Sequence, residues 1–199
     1  MNKIRVLIIV LLVITTIFLA GCTLPASPSA QRPDSPATDS GFAALLLTPE
    51  DLPQGIVRAG DSPMQTSDVT DTMTRLGWQK GHRTLYADGM PLTAKSIVME
   101  QDIMIFNGAN ASVMLEEHKN SFTLIESNAV TALPLPDPDI GEKSFAVKVI
   151  ATGSAGNEID HYVLGFVKSD IYEVFSMTGT PAAYPTFLEL GKRSADKIP

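Results

Sequence analysis

Residues 144–177 read SFAVKVIATGSAGNEIDHYVLGFVKSDIYEVFSM. Three runs rich in β-branched and aromatic residues, 144–151, 159–168 and 171–177, are separated only by TGSAGN at 152–157 and by Ser169-Asp170. Such runs favour strands. Strands joined by links this short pair antiparallel, because a parallel pair needs a crossover of a dozen residues or more. The spacing predicts a three-strand antiparallel meander.

The meander organises its neighbours. Upstream, Asn107-Gly108 is a break, and residues 109–125 form the best helix. Ala111, Met114, Leu115, His118, Phe122 and Ile125 recur on one helical face, with Glu116, Glu117 and Lys119 opposite. Residues 133–138 (LPLPDP) read as a stiff extended loop. Residues 94–106 are a strand carrying Ile97, Met99, Ile103 and Ile105 in alternate places. Residues 78–87 are another, ending at the turn signal Asp88-Gly89. Residues 67–76 have near-helical spacing up to Gly77, and 56–59 are a short strand. Residues 41–47 (GFAALLL) allow one or two helical turns, and Thr48-Pro49 reads as an N-cap followed by proline at the first helical position. Downstream, Pro181 opens a last helix with Tyr184, Phe187, Leu188 and Ala195 on its apolar side, and Pro185 delays its start. The expected architecture is a single α+β domain: one antiparallel sheet, centred on the C-terminal three-strand meander, with helices packed on one face. No internal repeat is visible.

The amino terminus is of a different kind. Met1-Asn2-Lys3-Ile4-Arg5 carries two positive charges and is followed by an apolar run of about 15 residues, shorter than the ~20 that span a bilayer comfortably. This is the layout of a secretory signal peptide. It ends in Leu19-Ala20-Gly21-Cys22, which resembles the lipobox of prokaryotic lipoproteins. The resemblance implies a diacylglycerol thioether on Cys22, removal of residues 1–21, and attachment to a membrane through that lipid. Cys22 is the single cysteine of the chain, so no intramolecular disulfide can form.

Residues 22–40 hold the cysteine and a stretch, TLPASPSAQRPDSPATDS, with prolines at 25, 28, 33 and 36. Such a segment buries too little apolar surface to order itself and serves as an extended tether. The globular body is then 41–199. Loss of Lys3 and Arg5 with the leader leaves 13 basic against 22 acidic residues, a charge of −9. A body this acidic repels the phosphate backbone, which excludes nucleic acid as a partner.

The order of elements in the body resembles the lipid-anchored or membrane-tethered sensor modules of actinobacterial envelopes. Leu46-Leu47-Thr48-Pro49-Glu50-Asp51-Leu52-Pro53 and Ile140-Gly141-Glu142-Lys143-Ser144 carry the resemblance. Those modules usually contain disulfides, and this chain departs from them there.

Chemistry-bearing motifs are few. His82, His118 and His161 fall in three separate elements, too scattered for a zinc set. His118 on the apolar helix face reads as a core or boundary histidine. The chain has no G-x-S-x-G, G-x-G-x-x-G or Walker loop. A triad assembled in space around His82 or His161 stays open. Asp137, Asp139 and Glu142 supply oxygen ligands of the kind calcium takes, although Pro138 stiffens their loop and the rest of a twelve-residue calcium loop is missing. Asn110-Ala111-Ser112 has the form of a glycosylation sequon, and Asn110 equally suits the first turn of a helix. Trp78, Tyr86, Tyr162, Phe166, Tyr172 and Phe175 lie in or beside strands as core or cross-strand partners.

No cofactor is expected. The reading is a lipid-anchored module outside the cytoplasm that binds or senses an unknown ligand or envelope protein without catalysis. The competing readings are a structural or assembly protein of the envelope and, third, a hydrolase.

Overall fold

The computed structural model describes residues 40–88, 97–127, 130–152, 158–179 and 183–199. The leader, the lipobox with Cys22 and the tether lie outside these residues, as do Gly89, most of the 152–157 connection and Pro181. Clustering of contacts separates residues 1–35 from residues 36–199, and only the second unit is described below.

In chain order the elements are α1 (Ser40–Ala43, one turn), β1 (Val57–Pro63), a 3-10 turn (Thr66–Asp68), α2 (Asp71–Arg75), β2 (Trp78–Ala87) and β3 (Val98–Phe106). Next come α3 (Asn110–Thr123), β4 (Glu126–Ser127), β5 (Val130–Leu135), β6 (Lys143–Thr152), β7 (Glu158–Lys168), β8 (Ile171–Thr178) and α4 (Tyr184–Lys197). All eight strands join one antiparallel sheet in the order β1-β2-β3-β8-β7-β6-β5-β4. The meander is therefore the centre of a larger sheet. β8 closes against β3, with Gln101 opposite Phe175 and Ile103 opposite Glu173.

The expected architecture is corrected in two respects. The fold is sheet-dominated, and its helices cover both faces. On face A, α1, residues 45–47 and α4 pack over Tyr86, Met99, Ile103, Leu164, Phe166 and Phe175. On face B, α2 and α3 pack over Met104, Phe106, Phe145, Val147, Val163 and Tyr172. The physical reason is visible in the strands: β6–β8 are buried on alternate residues of both parities, so each face presents an apolar surface that must be covered. Gly191 of α4 lies so close to Leu164 that a Cβ there would clash, which brings the helix down onto β7. Lys168 Nζ donates to the carbonyls of Ala195 (3.2 Å) and Ile198, satisfying the end of α4.

Two local readings also change. Thr48 starts no helix: its N–H and Oγ1 both donate to Asp51 Oδ2 (2.8 and 2.9 Å), closing a turn. The stretch expected as a loop from Leu133 contains the end of β5, with Pro134 opposite Val147. β4 pairs only Val130 and Thr131, so the rest of β5 is a sheet edge. Proline lacks a backbone donor and is tolerated at such an edge, which it also protects from further strand pairing.

Candidate functional site

A cleft of about 460 Å³ opens on the sheet where α3 ends beside β5 and β6. The size is that of a small-ligand pocket. Its α3 wall carries Lys119, Phe122, Thr123 and, just past the helix, Ile125. Its other wall is Ala132, Pro134, Phe145 and Val147, with Asp137 and Ser144 at one end.

The α3 wall is shaped locally. Ser121 Oγ donates to the His118 carbonyl (2.6 Å) and Thr123 Oγ1 to the Asn120 carbonyl (2.7 Å), back-bonds that compete with the helical ladder near its last turn. Behind the wall, His118 stacks on Phe122 (centroids 5.1 Å) and meets Phe145 edge-on (5.7 Å). His118 Nδ1 lies 2.6 Å from the Tyr172 hydroxyl. Burial in this aromatic cluster pushes the imidazole down to about 4, so it is neutral at ordinary pH. Phe145 in turn lies over Gly165, where any Cβ would strike its ring. The cleft thus has a fixed aromatic back.

The charged groups of the cleft, Lys119 and Asp137, sit at one end. Asp137 Oδ1 accepts from Ser144 Oγ (2.5 Å) and from the N–H of Asp139 (3.1 Å). The Ser144 bond leads, and the Lys119 ammonium adds a smaller charge effect, in holding the Asp137 carboxyl below its usual range. Toward Ile125, Ala132 and Val147 the lining is apolar.

The residues singled out in the sequence fall as follows. Asp137 and Asp139 share one turn at the cleft's polar end, with Asp139 at a φ of 53°. Glu142 turns away and accepts from the Ser169 N–H (3.0 Å). Among the described residues, no group of three His, Cys, Asp or Glu is placed to hold a metal ion. Asn110 is the first residue of α3. His82 Nε2 faces Asp61 Oδ2 (3.3 Å) on face A, and His161 Nδ1 faces Thr178 Oγ1 (3.0 Å). The three histidines thus have separate partners. Tyr86, Tyr162, Phe166, Tyr172 and Phe175 are core, and Trp78 is half-buried.

A second polar assembly, which the sequence reading missed, lies under α4 on face A. Tyr86 OH donates to Gln101 Oε1 (2.6 Å), and Gln101 Nε2 donates to Glu173 Oε1 (2.6 Å) and Ser194 Oγ (3.0 Å). Ser194 Oγ also donates to Glu173 Oε1 (2.6 Å). All four residues are buried, and Glu173 Oε2 has no partner within the described residues. Burial pushes the Glu173 carboxyl up to about 7, against the two hydrogen bonds that pull it down. The signal was present: Glu173 shares the parity of Ile171, Phe175 and Met177, so its face is the core's. Gln101 likewise stands between Met99 and Ile103.

No family model matches the chain, and no curated protein matches it. Among solved structures, the extracellular domain of PknH from Mycobacterium tuberculosis is similar, with a TM-score of 0.59 and 9% sequence identity over 77% of this chain and 94% of that one. At that identity the likeness is one of fold: the described body shares its architecture with an extracellular domain.

Proposed function

We propose that this protein is a membrane-tethered, extracytoplasmic module that binds or senses a small ligand, without catalysis, in the cleft between α3 and β5–β6. The observation that carries the reading is the cleft itself, mostly apolar with its charged groups at one end, backed by an aromatic cluster. Three further points support it. The leader and Leu19-Ala20-Gly21-Cys22 resemble those of an exported lipoprotein. The 18 residues from 23 to 40 give the body a reach of up to about 60 Å from the anchor. A body of this fold serves as an extracellular domain in PknH.

Two measurements test this. An impermeant amine reagent applied to intact cells should label the body's lysines; labelling only after lysis would overturn the location. A panel of small ligands screened by thermal shift on the full chain in nanodiscs should give hits that Ala132→Trp, which fills the cleft, abolishes. Hits indifferent to that change would move the binding surface elsewhere.

A second reading, a docking protein of the envelope, draws on Leu124, which follows α3 and is 72% exposed. Leu124→Ser distinguishes the two: it weakens a protein contact and leaves small-ligand hits in place.

A further inference from the structure

We propose that the last turns of α4, together with the segment 42–52 that they hold, form a proton-controlled latch over face A, closed while the buried Glu173 carboxyl carries its proton and loosened when it ionises.

The direction of the hydrogen bonds around Glu173 is the first ground. Tyr86 OH donates to Gln101 Oε1, Gln101 Nε2 donates to Glu173 Oε1, and Ser194 Oγ donates to that same oxygen. Two donors converge on Oε1, while Oε2 has no partner among the described residues. A protonated carboxyl here leaves one O–H unmet. An ionised one leaves a full charge in a place with no exposed surface, which costs far more.

Among the described residues, none of the groups that surround Glu173 brings a cation to it. In the sheet it stands opposite Ile103 of β3 and Phe166 of β7. β2 contributes Tyr86, α4 contributes Ser194, and the segment ahead of β1 contributes Phe42 and Leu45 to Leu47. The charged groups around this layer are engaged elsewhere. Arg58 pairs with Asp61 (3.8 Å), which also faces His82 of β2. Lys168 holds the carbonyls of Ala195 and Ile198, and Arg193 and Lys197 hold Asp51. Burial pushes the Glu173 carboxyl up to about 7, so its ionisation falls in an ordinary pH range.

What yields to the charge follows from how each neighbour is held. β8 is locked by ladders to β3 and β7 on both sides. The last turns of α4 are held to the body by side chains: Ser194 at Glu173, Lys168 at the final carbonyls, and the Asp51 joint. That joint makes 42–52 part of the same layer. Water that enters beneath it finds further groups to bond. His82 Nδ1 and Thr84 Oγ1, which share Tyr86's side of β2, are buried and have no partner among the described residues. Hydrating them along with Glu173 offsets packing lost when the layer lifts.

Hydrogen–deuterium exchange on the full chain in nanodiscs tests this, from about pH 5.5 to about pH 8.5, with labelling times scaled to the chemical exchange rate at each pH. Across that range residues 187–198 and 42–52 should lose protection together, by at least about tenfold. α3, on face B, should keep its protection and serve as the internal reference. Glu173→Gln, which does not titrate, should make the α4 profile flat. Equal loss in α3 and α4 overturns the proposal, because the whole body is then opening. Constant protection of α4 in wild type overturns it, and so does a loss that persists in Glu173→Gln. Should that variant not fold, the carboxyl carbon of Glu173 followed by NMR in wild type decides: its titration midpoint must coincide with the loss of α4 protection, and a separate midpoint assigns the opening to another group.

Discussion

Ser194 of α4 donates a 2.6 Å hydrogen bond to Glu173 of β8, a carboxyl with no exposed surface at the centre of the sheet. The helix is thus fastened to the core through a group whose charge state is not settled by water. With a folded value of about 7 against an ordinary 4.5, Glu173 keeps its proton in the fold after the unfolded chain has released it. Stability contributed by this group is full below about pH 4.5 and declines as pH rises toward 7. Glu173→Gln offers an oxygen to the same two donors and does not titrate. The stability difference between variant and wild type should therefore shift toward the variant across that window, by at most roughly 3 kcal/mol. Urea denaturation of both proteins at several pH values reads this, and a constant difference would refute it.

The His118–Tyr172 pair has the opposite sign. Burial holds His118 at about 4 in the fold, so the unfolded chain takes up a proton first as pH falls below about 6.5. Stability is full above that value and is lost toward pH 4. His118→Phe should remove this acid loss relative to wild type. At neutral pH it should cost about 1–3 kcal/mol, because the Tyr172 hydroxyl is left buried without its partner. Adding Tyr172→Phe should recover part of that cost. Equal costs for the single and double variants would show that the hydrogen bond is not what the pair contributes.

Gly165 supports the cleft from beneath. A valine there would force the Phe145 ring out of its place on β7 and toward the cavity. Overpacking of this kind costs about 1–3 kcal/mol. Gly165→Val should lower the melting temperature and also abolish cleft ligand binding at temperatures where the protein is still folded. Retained binding would place the ligand away from Phe145.

Cys22→Ser tests the anchor. Without the thiol there is no thioether, and the variant should move from the detergent phase to the aqueous phase on phase separation, or remain as an uncleaved precursor of higher mass. Detergent partitioning at the mature mass, unchanged from wild type, would rule out lipid on Cys22.

The legible parts of the fold were those in which one residue type repeats at a strand's or helix's period. The alternation in residues 78–87 and the three runs of 144–177 matched β2 and β6–β8 closely, and the apolar stripe of 109–125 matched α3. β5 was hidden because Pro134 and Pro136 look like loop residues, and what makes β5 a strand is the β6 edge it pairs with. The side each helix covers was hidden because periodicity gives a helix one apolar face and does not say which side of a sheet receives it. Of the cleft, Asp137 stood out as an acid and Phe122 and Ile125 as apolar positions. Their convergence depends on α3 ending beside β5, and that is a tertiary fact. Glu173 was legible by parity alone, as a charge standing in a core position.

Asp51 takes the Lys197 ammonium at 2.9 Å, and its carbonyl takes Arg193 Nη1 at 2.7 Å. The segment ahead of β1 is therefore stitched to the last turns of α4, while the Phe42 ring stacks on His82 at 5.7 Å. Tension entering the body at Ser40 must first peel this seam, the apolar run 42–47 and the Asp51 joint together, before any strand is loaded. The sheet and the cleft on its opposite face stand behind a mechanical fuse: a pull applied at Ser40 would strain face A while face B kept its shape.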